Sequence, residues 1–219
     1  MQRRAPNAVE LRPATAHDLP RLAAMMGVAF HNDPVSRWLW PDPAERSNRQ
    51  PRFFQTWLDL AHKHGTIITT ADGSCAALWL EMGDGPPALS DDAILSLISA
   101  CGPRVAAFFV LDHYLSQAHP REPHTYLPFI AALPGGTGLG TALLQHKLTQ
   151  LDVAGRPAYL EASSVRSIAL YEWMGFQPRS PIEVPDGPTL YPMVRRPVAH
   201  IERAREIGGS TMVDGVAPG

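Results

Sequence analysis

The stretch HTYLPFIAALPGGTGLGTALL, residues 124–144, decides the fold. Residues 124–133 are apolar enough for a buried strand, and residues 139–153 follow as an amphipathic helix. Between them, residues 134–140 read Pro-Gly-Gly-Thr-Gly-Leu-Gly, and residues 157–162 (PAYLEA) are typical of a further short strand. A strand, a loop, a helix and a strand in this order predict a βαβ unit.

The glycine loop lies where a protein backbone can hold a phosphate group. Glycine permits left-handed dihedral angles and a close approach to a ligand. The first turn of the following helix offers unpaired N–H groups and the positive end of the helix dipole. A tight turn without a ligand explains an isolated glycine cluster equally well, so the surrounding sequence has to decide.

Two familiar phosphate-binding patterns fit this loop poorly. A P-loop ends in Gly-Lys-Ser/Thr, whereas Thr141 follows a glycine with no lysine between them. Glu161 lies at about the distance downstream that a dinucleotide-binding turn requires. The glycine spacing of that turn fails, however, because counting from Gly136 puts Thr141 at the third position and counting from Gly138 puts Leu143 there.

The last third of the chain carries a denser set of ordered matches. They are Tyr126–Ile130, Gly136–Leu144, Gly155–Ser163, Ala169–Glu172, Gly175-Phe176 and Pro188–Met193, preceded by Ala29-Phe30, Asp33-Pro34 and Arg37–Leu39. In this order they resemble the GNAT superfamily of N-acetyltransferases, and the wording is most similar to the small-molecule acetyltransferases of the puromycin N-acetyltransferase type. The resemblance touches most of the chain and is dense over residues 124–197.

The resemblance implies a single α/β (α+β) domain of the GNAT type over residues 1–197. A central mixed, twisted sheet of six to seven strands should be flanked by helices, with acyl-CoA in the split between two central strands. Residues 198–219 are expected to form a partly disordered tail, with a helix as far as Ile207.

Acetyl-CoA is the implied co-substrate. Its pyrophosphate should lie on the loop and the start of the helix, and its pantetheine should lie along the strand. The expected cofactor-binding residues are Ile130, Ala131, Ala132, Gly136, Thr137, Gly138, Gly140, Thr141 and Ser167. No metal is expected, because His62 and His64 are two positions apart on a predicted helix and so point to different faces.

Two positions depart from the family pattern. Gly135 stands where Gln or Arg is usual, and Ser167 stands where an asparagine usually precedes the tyrosine of the same helix by four residues. These departures keep open an alternative function, a non-catalytic acyl-CoA-binding or interaction module on the same fold.

The implied reaction is direct attack of a neutral amine on the acetyl carbonyl, which requires a proton donor and a proton acceptor. The resemblance makes Tyr171 the donor to the leaving thiolate, with packing under Phe176 as the alternative role. Glu161, Glu81 and His124 are candidates for the acceptor, and a base acting through water is equally compatible.

A mixture of aromatic faces and one carboxylate suits a hydrophobic or aromatic amine as the acceptor. The candidate substrate residues are Asp33, Trp38, Trp40, His124 and Tyr191, with Tyr114 as a further aromatic candidate. Packing in the core explains the aromatic residues equally well. The acceptor is expected to be the primary amine of a small molecule, with protein or peptide N-acetylation as another alternative.

Composition and charge narrow the classes of function and cellular location that the chain can have. The chain has 219 residues and a net charge of -2, so it lacks the basic field on which nucleic-acid binding depends. Its start has no apolar leader region, and the sequence suggests no membrane-spanning run, so a soluble cytoplasmic protein is expected. Cys75 and Cys101 are expected to be reduced core residues. Monomer and homodimer both stay open.

Periodicity and turn signals predict the remaining elements. The predicted helices are 19–30, 45–64, 90–100, 103–117 and 165–174, the first behind a cap at Thr15 and Asp18. The predicted strands are 9–13, 66–71, 74–81 and 189–195, with a further short strand from Phe176.

Overall fold

The computed structural model describes residues 10–83, 87–135 and 138–198. Its α-helices are α1 (Leu19–Ala29), α2 (Pro34–Leu39), α3 (Pro43–His64), α4 (Asp91–Cys101), α5 (Val105–Ala118), α6 (Leu139–Val153) and α7 (Val165–Trp173). Its strands are β1 (Leu11–Pro13), β2 (Gly65–Thr70), β3 (Cys75–Met82), β4 (His124–Ala132), β5 (Ala158–Ala162), β6 (Gln177–Pro178), β7 (Ile182–Glu183) and β8 (Thr189–Arg195). The proposed helix to Ile207 lies outside the described residues, so the boundary after residue 197 stays a prediction.

The eight strands form one mixed sheet in the order β1-β2-β3-β4-β5-β8-β6, with β7 paired to β8. All neighbours are antiparallel except β4 and β5, which run parallel. The prediction of a mixed α/β sheet flanked by helices is confirmed. The strand number exceeds the expected six to seven by β7, a two-residue strand too short to give a periodic signal, whereas β6 is the short strand predicted from Phe176.

The two parallel strands separate soon after they meet. Their pairing consists of Thr125 with Ala158 and Tyr126 with Tyr159, although β4 runs on to Ala132. Next to this point the register between β3 and β4 shifts, and β4 bulges. Pro128 follows at once, and it has no N–H to donate to a ladder. The sheet therefore opens into a split between its two central strands.

Side chains on the two faces of the sheet enter two separate cores. On one face α1, α3 and α4 pack over Leu78 and Leu80, and on the other face α6 and α7 pack over Ala77 and Trp79. Such alternation follows from the two-residue period of a strand. Each fully buried Leu or Met side chain stabilises the fold by roughly 1.5–3 kcal/mol before the loss of conformational entropy.

Local signals fixed the element ends where a side chain caps a helix. Thr15 and Asp18 form the expected capping box ahead of α1. The Asp42 side chain accepts from the Ala44 N–H and starts α3 two residues before the predicted position. The short helix α2, capped by Asp33, was not predicted.

The segment Asp91–Ala118 corrects the expectation that the sequence has no run long and apolar enough to span a membrane. By length and composition it is apolar enough to cross a membrane, with a mean hydropathy of 1.9 in its best 18-residue window. It is broken, however, because α4 ends at Cys101 and Gly102 has a positive φ of 56°. Leu97 and Phe108 of the two helices are buried in the core. One such segment is weak evidence for a membrane span, and 28 % of its best window is buried within the described residues.

Candidate active site

A cavity of about 950 Å³ lies at the split in the sheet. Strand β4 from His124 to Ile130 and the end of β5 form one side, α7 contributes Ser167 and Tyr171, and residues of α2, α3, α4 and α5 cover much of the rest. The aromatic side chains that line it include Phe30, Trp40, Phe53, Phe54, Trp57, Phe108 and Phe129. The lining is mostly apolar and also carries polar side chains, among them Asp33, Asp112, Arg121 and Glu161, and this combination is usual for a small-molecule site.

Glu161 is the most deeply buried carboxyl group at this cavity. It lies near the end of β5, and its side chain is only 5 % exposed. Burial raises the pKa of its carboxyl group to about 7. Among the described residues its Oε1 atom has no hydrogen-bond partner that meets geometric criteria, although His119 Nε2 lies 3.4 Å away. A carboxyl group with this pKa can take and release protons near neutral pH.

His119 is a site residue that the sequence did not reveal. It is the C-cap of α5, and its Nδ1 lies 3.4 Å from Nε2 of His124, the first residue of β4. Burial, followed by the neighbouring His124, lowers the pKa of His119 to about 4. Burial also lowers the pKa of His124. In the sequence, His119 before Pro120 looks like a helix terminator, because nothing local indicates that Glu161, 42 residues later, lies beside it.

Tyr171 and Asp33 also line the cavity. Burial, followed by the charge of Asp33, raises the pKa of Tyr171 to about 12, so its hydroxyl stays protonated at neutral pH. Asp33 Oδ1 accepts from the Val35 N–H at 2.9 Å, and its other oxygen accepts from the Ser163 hydroxyl just after β5. Burial raises the pKa of Asp33 as well.

The described glycines on either side of residues 136–137 have left-handed backbone angles. Gly135 and Gly138 have positive φ angles of 94° and 81°, and α6 begins at the next residue after Gly138. A Cβ atom added at Gly138 or Gly140 would meet no atom within 4 Å. Gly136 and Thr137 lie outside the described residues. Thr141 lies in the first turn of α6, as expected.

The predicted site residues are only partly brought together. Among the described residues, Tyr171, Glu161, Asp33, Trp40, His124, Ile130 and Ser167 line the cavity, whereas Ala131, Ala132, Trp38, Tyr191 and Glu81 do not. The Trp38 ring instead lies under the Arg104 guanidinium at 5.8 Å. Tyr191 lies in β8, paired with Ala162. The binding roles assigned to these residues stay predictions.

Glu81 is a correction on geometric grounds. Its position in β3 alternates with Leu80 and Met82, so its side chain lies on the α6 face of the sheet. There it pairs with Arg156 at 3.1 Å and Lys147 at 3.8 Å, and it accepts from the Thr125 hydroxyl. The structure therefore does not bring Glu81 to the cavity that holds Glu161.

The described ranges contain no group of three or more His, Cys, Asp or Glu side chains placed to hold a metal ion. The absence of a metal stays an expectation. Cys75 and Cys101 are both buried and free, as the sequence predicted.

Comparison with known proteins points to one fold. No family model matches the chain. A Corynebacterium glutamicum protein described as histone acetyltransferase HPA2 and related acetyltransferase is 29 % identical, with a TM-score of 0.66 over 86 % of this chain and 96 % of that one. Drosophila melanogaster polyamine N-acetyltransferase, described as catalysing the formation of N-acetylagmatine, is 13 % identical, with a TM-score of 0.62 over 85 % and 99 %.

Arylalkylamine N-acetyltransferase 2 of Aedes aegypti is also similar in structure, with 10 % identity and a TM-score of 0.60 over 88 % of this chain and 100 % of that one. Likenesses at such low identity concern the fold, and the Corynebacterium protein adds similarity in sequence. The split sheet, the strand-loop-helix order and these likenesses agree on the fold of the GNAT acetyltransferases, and the similarity to the Corynebacterium protein supports an acyl-CoA-dependent N-acetyltransferase.

Proposed function

We propose that this enzyme moves an acetyl group from acetyl-CoA to the primary amine of a small, largely apolar molecule. The observation that carries the proposal is that a buried carboxyl group, Glu161, and a buried protonated hydroxyl, Tyr171, line one apolar cavity at the split between β4 and β5. Amide formation by direct attack needs one proton acceptor and one proton donor at such a place.

The described residues fit acetyl-CoA in two ways. A side chain at Gly138, the N-cap of α6, or at Gly140 in its first turn would enter open space, and the first-turn N–H groups of α6 suit a pyrophosphate. Beyond Tyr126, the edge of β4 that faces β5 has no strand pairing within the described residues. Free backbone groups along Ile130 can therefore accept an extended chain such as pantetheine, in the manner of an added strand. When bound, acetyl-CoA supplies the activated carbonyl and a thiolate leaving group.

Glu161 acts in this proposal as the proton acceptor. Its carboxylate removes a proton from the amine nitrogen as that nitrogen forms a bond to the acetyl carbon. With its pKa raised to about 7, Glu161 is a stronger base than an exposed carboxylate and is still ionised above neutral pH.

Tyr171 acts as the donor to the thiolate as the carbon–sulfur bond breaks. Its pKa of about 12 keeps the hydroxyl protonated and also makes it a weak acid. Hydrogen bonding to the developing thiolate is therefore the larger part of its contribution, since a thiol has an ordinary pKa near 8.5.

The acceptor pocket favours an amine with an aromatic or bulky apolar body. Phe53, Phe54 and Trp57 each pack edge-on against Phe129, with ring centroids 5.2 to 6.2 Å apart. These rings line the cavity and offer apolar contact surface but no charge. In this proposal Asp33, whose carboxyl group lines the cavity, meets the arriving ammonium group.

The discriminating experiment measures release of free CoA thiol from acetyl-CoA with a panel of amines. Phenethylamine and tryptamine represent aromatic amines, agmatine and spermidine represent polyamines, and a lysine peptide represents protein substrates. We expect the highest kcat/KM with the aromatic amines. Thermal stabilisation by acetyl-CoA without thiol release from any amine would instead support the non-catalytic acyl-CoA-binding module.

A pair of tryptophan variants provides the control. Trp57→Ala removes a cavity wall and should raise KM for the aromatic amine. Trp38→Ala removes a tryptophan that is similarly half-buried but lies outside the lining of the cavity, and it should leave that KM close to the original value. Equal effects of both substitutions would show that the change reflects general packing.

A further inference from the structure

Among the described residues, three carboxyl groups line the cavity, and their order follows β5. They belong to Asp33, Asp112 and Glu161. Glu161 is part of β5, and Ser163, two residues later, donates its hydroxyl to Asp33. Asp33 therefore lies beyond Glu161, on the side where β5 ends.

Asp112 lies on the other side of Glu161. Tyr159, two residues before Glu161, has its side chain on the same face of β5 and pairs with Tyr126 of β4. Burial raises the pKa of Tyr126, and the charges of Glu161 and Asp112 add to this shift. Both carboxyl groups therefore lie near the Tyr126 hydroxyl. Along β5 the order is Asp33, Glu161, Asp112, with the proposed proton acceptor in the middle.

The carboxyl group of Asp112 has no fixed partner. Asp112 lines the cavity and is also exposed to solvent, which places it at an opening of the cavity. Within the described ranges it makes no hydrogen bond and no salt bridge. Burial raises its pKa, and His113, the next residue along the chain, is the only described group that opposes this shift. The carboxyl group is thus available to a molecule that enters the cavity.

The other titratable groups at the cavity do not balance these carboxyl groups. Arg121, in the exposed loop between α5 and β4, is the one Lys or Arg side chain among the described lining residues. Burial lowers the pKa of His119 to about 4 and also lowers that of His124, so both rings are neutral at pH 7. The Glu161 side chain is only 5 % exposed, and its Oε1 atom has no hydrogen-bond partner in the described part of the chain. The lining therefore carries an excess of negative charge, which favours cationic molecules.

We propose that Asp112 binds a second cationic group of the acceptor, so that the preferred substrate is an amine with an apolar body and a positive charge at its other end. This proposal rests on the proposed acetyl transfer with Glu161 as the proton acceptor. The reacting amine lies at Glu161, the apolar body lies against the aromatic rings of the lining, and the second charge pairs with Asp112. Because Asp112 stays in contact with solvent, the second group keeps part of its hydration, and the cost of desolvating the ion pair is small.

The test compares three para-substituted benzylamines that share the ring and the reacting amine. At the far end, 4-methylbenzylamine is neutral, 1,4-bis(aminomethyl)benzene carries a second ammonium group, and 4-(aminomethyl)benzoate carries a carboxylate. Release of free CoA thiol from acetyl-CoA gives kcat/KM for each compound. We expect the diamine, after division by two for its two equivalent amines, to exceed the neutral amine about fivefold, which is the upper range for an ion pair near solvent. The benzoate should be the poorest substrate.

Three variants assign the preference to one side chain. Asp112→Asn keeps the shape and removes the charge, so the ratio of diamine to neutral amine in kcat/KM should fall from about five to about one. Asp112→Lys should reverse the order and make the benzoate a better substrate than the diamine. Asp59→Asn removes an exposed carboxylate of α3 that lies outside the cavity lining, and it should leave the ratio at its original value.

A ratio near one in the original protein, or a raised ratio that persists in Asp112→Asn, would overturn the role of Asp112. Preference of the original protein for the benzoate would overturn it as well and would assign the second contact to Arg121. Thiol release together with any of these results leaves the acetyltransferase proposal intact. Calorimetry of the three compounds with the CoA-saturated protein makes the same comparison without turnover. Tighter binding of the diamine that disappears in Asp112→Asn, without thiol release from acetyl-CoA, would support the role of Asp112 and refute acetyl transfer.

Discussion

Replacement of Glu161 with glutamine should stabilise the protein above pH 7 and have little effect near pH 4. Burial raises the pKa of this carboxyl group from 4.5 to about 7. The folded chain therefore holds the proton more tightly than the unfolded chain does. Between these two pKa values the unfolded chain has lost its proton and the folded chain has kept it, so the free energy of unfolding falls as pH rises. Glutamine has nearly the same shape and no charge, and it avoids this loss.

The size of the effect follows from the shift. From 4.5 to about 7 is roughly 2.5 pKa units, and at about 1.4 kcal/mol per unit the cost of ionising buried Glu161 is about 3 kcal/mol. Whole domains are stable by only about 5–15 kcal/mol, so this cost is a large fraction of the total. A carboxyl group kept at such a cost is more readily explained by chemistry than by packing.

The assay is urea unfolding of both proteins at intervals from pH 4 to 8. The difference in free energy of unfolding, variant minus wild type, cancels every other group that titrates alike in the two proteins. It should rise between pH 4.5 and 7 and then stay level at about 3 kcal/mol. Glu172→Gln, an exposed change on α7, should show no such rise. A difference that does not vary with pH would refute the burial argument for Glu161.

Two further predictions concern the donor and the loop. Tyr171→Phe should lower kcat about 10²-fold and leave acetyl-CoA binding unchanged. This loss is near the low end for a lost general acid, because the pKa of this hydroxyl is raised. Steady-state kinetics measure kcat and KM, calorimetry measures acetyl-CoA binding, and a change in KM alone would assign Tyr171 to binding. Gly138→Asp should abolish acetyl-CoA binding in calorimetry. Gly138→Asn, which tolerates the same positive φ and adds no charge, should weaken it far less, and equal losses would indicate backbone strain instead of repulsion of the pyrophosphate.

The sequence predicted best what local rules determine. The amphipathic helix at 139–153 and the last long strand at 189–195 have the bounds that periodicity gave. The turn at Gly73, between the strands β2 and β3, has the positive φ that an Asp-Gly pair favours. In each case the residues of the element and its neighbours in sequence are sufficient to predict it.

The face on which a residue lies was harder to predict in a fully buried strand. Strand β3 is apolar on both faces, so polarity does not reveal which of its residues turn towards the cavity. Glu81 was proposed as a base for that reason, although alternation directs it to the α6 face. The bulge next to Pro128 exchanges the faces of β4 part of the way along, and a shift of one residue reverses every assignment beyond it.

The contacts that the sequence did not predict join residues far apart along the chain. His119 meets Glu161 only because α5 ends beside the point at which β4 and β5 pair. The fold likewise brings Asp33 into hydrogen-bond contact with Ser163, which lies 130 residues later. No spacing rule connects such positions, since the loops between them carry no constraint on distance.

Burial shifts the pKa values of both proposed catalytic groups, and these shifts predict the pH dependence of the reaction. Burial disfavours the charged form of each group, so it raises the pKa of Glu161 to about 7 and that of Tyr171 to about 12. Below the first value the acceptor is already protonated, and above the second the donor has lost its proton. The productive combination, ionised Glu161 with protonated Tyr171, therefore exists between these two pH values.

With an aromatic amine, kcat should rise through about pH 7 and show no fall due to Tyr171 up to pH 10. In Glu161→Gln the rise near pH 7 should disappear, and a rise that persists there would assign the titration to another group, such as the amine itself.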